Sequence, residues 1–283
     1  MAKTLGIISI KGGVGKTSVA SSLATDLVNN YGKRVLLVDA NYSAPNLGLH
    51  MDIVEPEKTI HEVLAGKARI ESAIHSKYGV DVIPGSYSHH GELDCMKLKD
   101  RISKIKNNYD YVVIDSSPNL NDEVLSAMVA SDALFVVTTG DYPTLSCSLK
   151  AAELARNRGK PIAGLILNKI RNPDYEMSVK EIENISGIPV VAKIPDEGDH
   201  VKSVFTRIPM SIYNKNSKFS KEINDLSGAI TGEKKSLRWF HKLLPLDLKR
   251  EKINREVMKE TFYNSFFKNN AIDLSEEKES NEQ

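Results

Sequence analysis

The chain has 283 residues, 41% of them hydrophobic, and a formal net charge of +1. Its length allows one sizeable core plus a tail, and the near-neutral balance argues against a globally basic nucleic-acid binder. Two cysteines, Cys95 and Cys147, stand far apart with no CxxC and no histidine at ligand spacing, so reduced thiols are expected, not a disulfide frame or metal site.

The first apolar run, Leu5 to Ile10, reads as a buried strand. It leads into Lys11-Gly12-Gly13-Val14-Gly15-Lys16-Thr17 and then into a helix-like stretch from Ser18 to Asn30, with Val19, Leu23, Leu27 and Val28 on one face. Further strand-like runs follow at Arg34 to Asp39, Val80 to Pro84, Tyr111 to Asp115, Ala133 to Thr138, Ile162 to Leu167 and Ile188 to Ile194. Most are short, β-branched and non-alternating, as strands covered on both faces must be. Helix-length segments separate them, Ser146 to Asn157 most clearly. This alternation predicts an α/β fold with a doubly wound, mostly parallel sheet flanked by helices. Ligands of such sheets collect at the carboxyl ends of strands, where the glycine loop, Asp39 and Asp115 all fall. No apolar run reaches bilayer-spanning length, and the N-terminus reads as a strand instead of a signal peptide, so a soluble cytoplasmic protein is expected.

Strand, glycine loop, Lys-Thr and helix form the arrangement that wraps backbone N–H groups around phosphates. Gly12, Gly13 and Gly15 allow close approach, with Val14 and Ser18 completing the cradle. Lys16 reaches the β- and γ-phosphates, and the Thr17 hydroxyl suits Mg²⁺. The competing reading is a glycine-rich turn with no ligand. Asp115 suits a carboxylate holding the metal's water shell, and its competitor is a strand-end aspartate capping the next helix. The following segment, Ser116 to Asn121, is placed to sense a γ-phosphate.

A strict P-loop pattern would place glycine at position 10, where this chain has isoleucine; a lysine, Lys11, precedes the glycine pair instead. In this the chain resembles the MinD/ParA branch of P-loop ATPases, over residues 3 to about 230. The resemblance implies a P-loop NTPase fold, ATP and Mg²⁺ as cofactors, and an ATP-bound homodimer in which Lys11 touches the partner's phosphates. It also implies that Asp39 supports the metal with Thr17 and Asp115, that Asn168 reads adenine, and that Pro195-Asp196 walls the same pocket. Either of the last two positions also fits a plain turn. Pro45 to Leu49 looks like the MinD switch region.

Where the family usually shows Asp-x-Asp, this chain has Asp39-Ala40-Asn41. Asparagine has no titratable group and cannot act as a base, but it can hold water by hydrogen bonds. Slow ATP hydrolysis is expected, with ATP binding without turnover as the alternative. Absent cluster cysteines, an absent CxxC and a single tail tyrosine, Tyr263, separate the chain from other branches of the superfamily. A positioning or partitioning ATPase remains, acting on a division site, a surface appendage or a chromosome and answering to an activating partner protein. The competing classes are a DNA-bound partition ATPase and an ATP-binding adaptor.

Composition divides the chain into an ATPase domain over 1–231, a basic amphipathic extension over 232–270 and an acidic, disordered tail over 271–283. Residues 234–259 carry nine Lys/Arg against three Asp/Glu, and the last thirteen residues carry five acids against one lysine. As a helix, Leu237, Phe240 and Leu244 share a face, which suits peripheral membrane contact through 234–246 on the inner surface of the cell membrane. The same apolar residues could equally pack on the ATPase body.

Overall fold

A computed structural model of the chain describes residues 2–89, 91–171 and 174–233. Of the extension and tail read from the sequence, residues 234–283, including 234–246, lie outside the described residues.

Eight strands form one sheet: β1 (Lys3–Ile8), β2 (Val35–Ala40), β3 (His75–Lys77), β4 (Val80–Ile83), β5 (Tyr111–Ser116), β6 (Ala133–Thr138), β7 (Ile162–Ile170) and β8 (Val190–Pro195). Their order is β3-β4-β2-β5-β1-β6-β7-β8. All pairings are parallel except β3 with β4. The antiparallel edge strand β3 was not expected from sequence. Its three residues, His75-Ser76-Lys77, are polar and only partly covered, so they carry none of the apolar signal that marks the other strands.

The helices are α1 (Lys16–Tyr31), α2 (Leu47–His50), α3 (Ile60–Leu64), α4 (Leu98–Ser103), α5 (Asp122–Ala130), α6 (Tyr142–Asn157), α7 (Val179–Ser186), α8 (Gly198–Thr206), α9 (Met210–Tyr213) and α10 (Lys218–Thr231). Alternate residues of a strand point to opposite faces, and here both faces are apolar. Val35, Leu37 and Val113 join the core under α1 and α10. Leu36, Val38, Val112 and Ile114 join a second core under α3, α4 and α5. A third core, under α6 and α7, takes Val136, Leu165 and Leu167. The result is a three-layer sandwich with β1 near the middle of the sheet.

Several sequence boundaries shift for local reasons. The first strand stops at Ile8 because Ser9 begins the glycine loop, where the Ser9 hydroxyl accepts the Lys11 N–H at 3.2 Å. Helix α6 starts at Tyr142, earlier than Ser146, because Asp141 caps it by accepting the Thr144 N–H and Pro143 suits its first turn. Helix α1 ends at Gly32, whose left-handed φ of 61° lets its N–H close onto Val28.

Among the described residues, Phe135 on β6 and Phe219 on α10 are the largest fully buried side chains. Phe135→Ala is expected to lower unfolding free energy by about 3–5 kcal/mol in denaturant titration, through lost burial and a residual cavity.

Candidate nucleotide site

Between β1 and α1 the chain makes a tight loop through two left-handed glycines, Gly13 (φ 77°) and Gly15 (φ 94°). Gly15 is constrained twice, because a Cβ there would also collide with the side-chain amide of Asn168. Gly15 is the N-cap of α1, makes no side-chain cap bond, and no acidic residue stands in the first turn. The first N–H groups of a sixteen-residue helix therefore face the loop without a side-chain acceptor, which favours an anion.

The two lysines of the loop differ in surroundings. Lys11, Gly12 and Gly13 are exposed, whereas Val14, Lys16 and Ser18 are buried and Thr17 is half-buried. Burial pushes the Lys16 ammonium below its ordinary pKa, and the Asp115 carboxylate opposes that shift.

Parallel pairing of β2 with β5 sets Asp39 directly beside Asp115, and pairing of β1 with β5 sets Ile7 on the other side of Asp115. Both carboxylates are 1% exposed. Burial raises the Asp115 pKa to about 6, against hydrogen bonding from Thr17 and the charge of Lys16. Burial, then the charge of Asp115, raises that of Asp39 to about 8, while backbone N–H groups of Asn41, Leu47 and Gly85 pull it down. The Asn41 and Leu47 N–H groups donate to the two Asp39 oxygens at 3.0 and 3.1 Å. Oδ1 of Asp115, by contrast, is buried without a partner among the described residues. Two desolvated carboxylates, one with an orphaned oxygen, beside a threonine hydroxyl and a lysine form a donor set that fits a hydrated Mg²⁺ held with a phosphate.

Asn41 is 8% exposed, and its Nδ2 donates to the Ala44 carbonyl at 2.6 Å. The departure from Asp-x-Asp therefore has a local consequence, since an aspartate could not make this bond. The loop it begins is pinned from outside as well. His61 Nε2 meets the Tyr42 carbonyl at 3.0 Å, Tyr87 donates to Asn46 at 3.0 Å, and Glu123 accepts the Ser43 N–H at 3.1 Å.

Asn168 lies in β7 and is 3% exposed. Its Nδ2 donates to the Val14 carbonyl at 2.7 Å, tying the glycine loop to the far half of the sheet. That bond uses one of the two amide hydrogens. Pro195 ends β8 opposite Ile170, and Asp196 follows, its N–H donating to the Ile170 carbonyl at 2.8 Å. The Asp196 carboxylate accepts from Arg171 Nε at 2.6 Å. Asn168, Pro195 and Asp196 thus occupy the carboxyl ends of β7 and β8, apart from the Thr17, Asp39 and Asp115 group at the start of α1, β2 and β5, with Asn168 bridging to the loop. Sequence reading passed over Ser43, His61 and Glu123. The available signal for Glu123 was an acid in the first turn of a helix, which ordinarily only favours the helix dipole.

Comparison with known proteins agrees with this geometry. Residues 2–149 match the model of a AAA domain family. An ATP-binding protein of Methanocaldococcus jannaschii is 32% identical over 229 residues, covering 80% of this chain and 87% of that one. The septum site-determining protein MinD of Thermotoga maritima is 28% identical, with coverage of 82% and 89%. The chromosome partitioning protein ParA of Caulobacter vibrioides is 37% identical over 201 residues, with coverage of 64% and 75%. Among solved structures, the cell division ATPase MinD of Pyrococcus furiosus superposes with a TM-score of 0.78 at 30% identity, covering 82% of this chain and 99% of that one. MinD of Pyrococcus horikoshii, complexed with Mg-ADP, gives 0.76 at 29% identity, with coverage of 80% and 95%. The MinC:MinD complex of Aquifex aeolicus gives 0.75 at 25% identity, with coverage of 84% and 98%. The chain has the P-loop NTPase fold and belongs to the MinD/ParA family of P-loop ATPases, on the side closer to MinD.

Proposed function

We propose that this protein is a Mg²⁺-ATP-dependent dimerising switch that hydrolyses ATP slowly to ADP and phosphate and so positions a cellular structure. The observation that carries the reading is the split between its two loop lysines. Lys16 is buried toward Asp115, where it serves its own subunit's phosphates, while Lys11 is exposed and free to face a second copy. The relatives named for septum placement and chromosome partitioning support a positioning role, and the MinC:MinD complex supports a protein partner.

Residues 1–231 act as the ATPase domain in this reading. Backbone N–H groups of Gly12 to Ser18 bind the phosphates, and Gly13 and Gly15 keep side chains out of the way. Thr17 and Asp115 would hold Mg²⁺, with Asp39 supporting the site through its place beside Asp115. The bound metal would neutralise charge on the phosphate oxygens. Asn41 orients the attacking water without accepting its proton, which accounts for a slow step. Lys11 adds a cation across the dimer where charge develops at the transferred phosphoryl group. Asn168, Pro195 and Asp196 frame the adenine. Residues 234–246 give the dimer a peripheral hold on the cytoplasmic membrane face. Among the described residues no helix is long and apolar enough to cross a membrane.

Sizing chromatography should show a dimer with Mg-ATP and a monomer with ADP or no nucleotide. Lys11→Ala should lose that shift while keeping monomeric nucleotide affinity within about threefold, as expected for an exposed residue outside its own subunit's site. A Lys11→Ala protein that dimerises and turns over like the native one removes the mechanism.

Asn41→Asp supplies a carboxylate beside the phosphate but forfeits the bond to Ala44. Steady-state phosphate release should rise about tenfold or more, while thermal stability falls by roughly 1 kcal/mol for the lost hydrogen bond. An unchanged rate would count against a positioning role for Asn41.

Asn168→Ala frees the Val14 carbonyl and loosens the loop. Calorimetry should record ATP affinity about tenfold weaker, matching one hydrogen bond of ~1.4 kcal/mol. Unaltered affinity would place Asn168 outside the nucleotide site.

A further inference from the structure

Glu123 stands in the first turn of α5, two residues after the N-cap Asn121, and is 8% exposed. Its Oε1 accepts both the N–H and the hydroxyl of Ser43. Its Oε2 is buried without a partner among the described residues. A half-satisfied buried carboxylate is a poor way merely to stabilise a helix end, because an exposed acid would serve the dipole without desolvation. Here the charged oxygen is directed at another segment of the chain.

That segment is the loop that leaves Asp39. Helix α5 in turn leaves the loop that follows Asp115. Glu123 therefore ties together the two loops that issue from the paired carboxylates. A second tie runs parallel to it, from the Tyr42 hydroxyl to Ser126 Oγ at 3.3 Å, also on α5. On the other side of the loop, His61 is held as a neutral imidazole. Its Nδ1 accepts the Ser86 N–H at 3.0 Å, which leaves Nε2–H to donate to the Tyr42 carbonyl. Loop 41–46 is thus fixed to α5 through Glu123 and Ser126 and to the segment after β4 through His61 and Tyr87.

We infer that Glu123 is a positioning residue that makes the loop after Asp39 follow the loop after Asp115. A shift of residues 117–121 about a bound phosphate moves α5 at its N-cap. The Glu123 carboxylate carries that shift to Ser43, and so to Asn41 two residues before it. Two bonds from one residue converge on a single oxygen of a buried carboxylate, and that directionality transmits displacement better than an apolar contact could. The inference rests on the nucleotide-switch reading above and adds the element that links sensing to water placement.

The test uses the full chain with Mg-ATP and compares native protein with Glu123→Ala, Glu123→Gln and Ser43→Ala. Calorimetry gives affinity, phosphate release gives turnover, and amide hydrogen exchange follows 41–46 and 117–121 separately. Glu123→Ala should bind Mg-ATP within about threefold of native yet lose turnover by ~10- to 100-fold, the scale of a misplaced reactant. Exchange at 117–121 should still slow on nucleotide addition, while exchange at 41–46 no longer responds. Glu123→Gln, whose carbonyl still accepts from Ser43, should restore most of the response at 41–46. Combining Ser43→Ala with Glu123→Ala should add nothing further, since one link is being removed twice. Exchange at 41–46 that responds to nucleotide in Glu123→Ala as in native protein overturns the inference. A native chain that binds Mg-ATP without turnover leaves the exchange measurements to decide. A native chain that binds no Mg-ATP removes the switch reading, and the coupling falls with it.

Discussion

Two buried carboxylates on neighbouring strands are the constraint around which the rest of this molecule is arranged. Asp39 and Asp115 face each other in register at the carboxyl ends of β2 and β5, both almost fully sealed from water. Adjacent strands lie only about 4.8 Å apart, so neither charge escapes the other. Burial resists ionisation of both, the charge of Asp115 adds to that at Asp39, and both groups sit above the ordinary carboxylate range. Compensation comes from three directions. Backbone N–H groups of the next loop close on Asp39, Lys16 approaches Asp115, and Thr17 bonds to it. One oxygen remains unsatisfied among the described residues, and a cation is the partner with the right charge. The strand register cannot slip to relieve the strain, because a one-residue shift would turn the whole apolar set of β2 to the wrong face.

The same constraint explains why the loops beside the pair are so heavily bonded. The segment from Asn41 to Leu47 donates two N–H groups to Asp39, and a loop that moved freely would abandon a buried charge. Gly85 lacks a Cβ because the Pro45 ring occupies that space, which packs the segment after β4 against the loop. An asparagine at position 41 fits this setting. Its amide can donate to a nearby carbonyl, where a third carboxylate would have met that carbonyl with repulsion and added charge to a pair already short of cations. The residue that slows chemistry in the proposed mechanism is thus also one that eases the local electrostatics.

Much of this was legible in the order of residues. Apolar, β-branched runs marked seven of the eight strands within a few positions, because strands buried on both faces must be apolar throughout. The glycine loop was legible for a similar reason: few backbones need glycine at 13 and 15 with a lysine directly after. What stayed hidden depends on contacts between distant segments. β3 has no apolar residue to announce it, and its place at the sheet edge follows from β4. Glu123 looks like any first-turn acid until the fold brings Ser43 to it across eighty positions of sequence. Asn168 could be suspected only through family likeness, and its bond to Val14 spans 154 positions of sequence.

The contrast between Lys11 and Lys16 bears on why the proposed mechanism calls for a second copy. Lys16 is desolvated by its own fold, so in the proposed mechanism its charge acts at low effective dielectric on the phosphates from the moment they arrive. Lys11 is exposed, and in that state water and salt screen it from any anion more than a Debye length away, about 8 Å at physiological ionic strength. Its charge becomes strong only when another surface excludes the water around it. In the proposed dimer the twin subunit is that surface, and the excluded space contains the twin's phosphates. Association therefore does more than place one further cation: it converts a screened charge into an effective one. This ties the power of Lys11 to the presence of the triphosphate that draws the copies together, and it lets hydrolysis weaken the dimer by removing the charge that Lys11 had been brought in to meet.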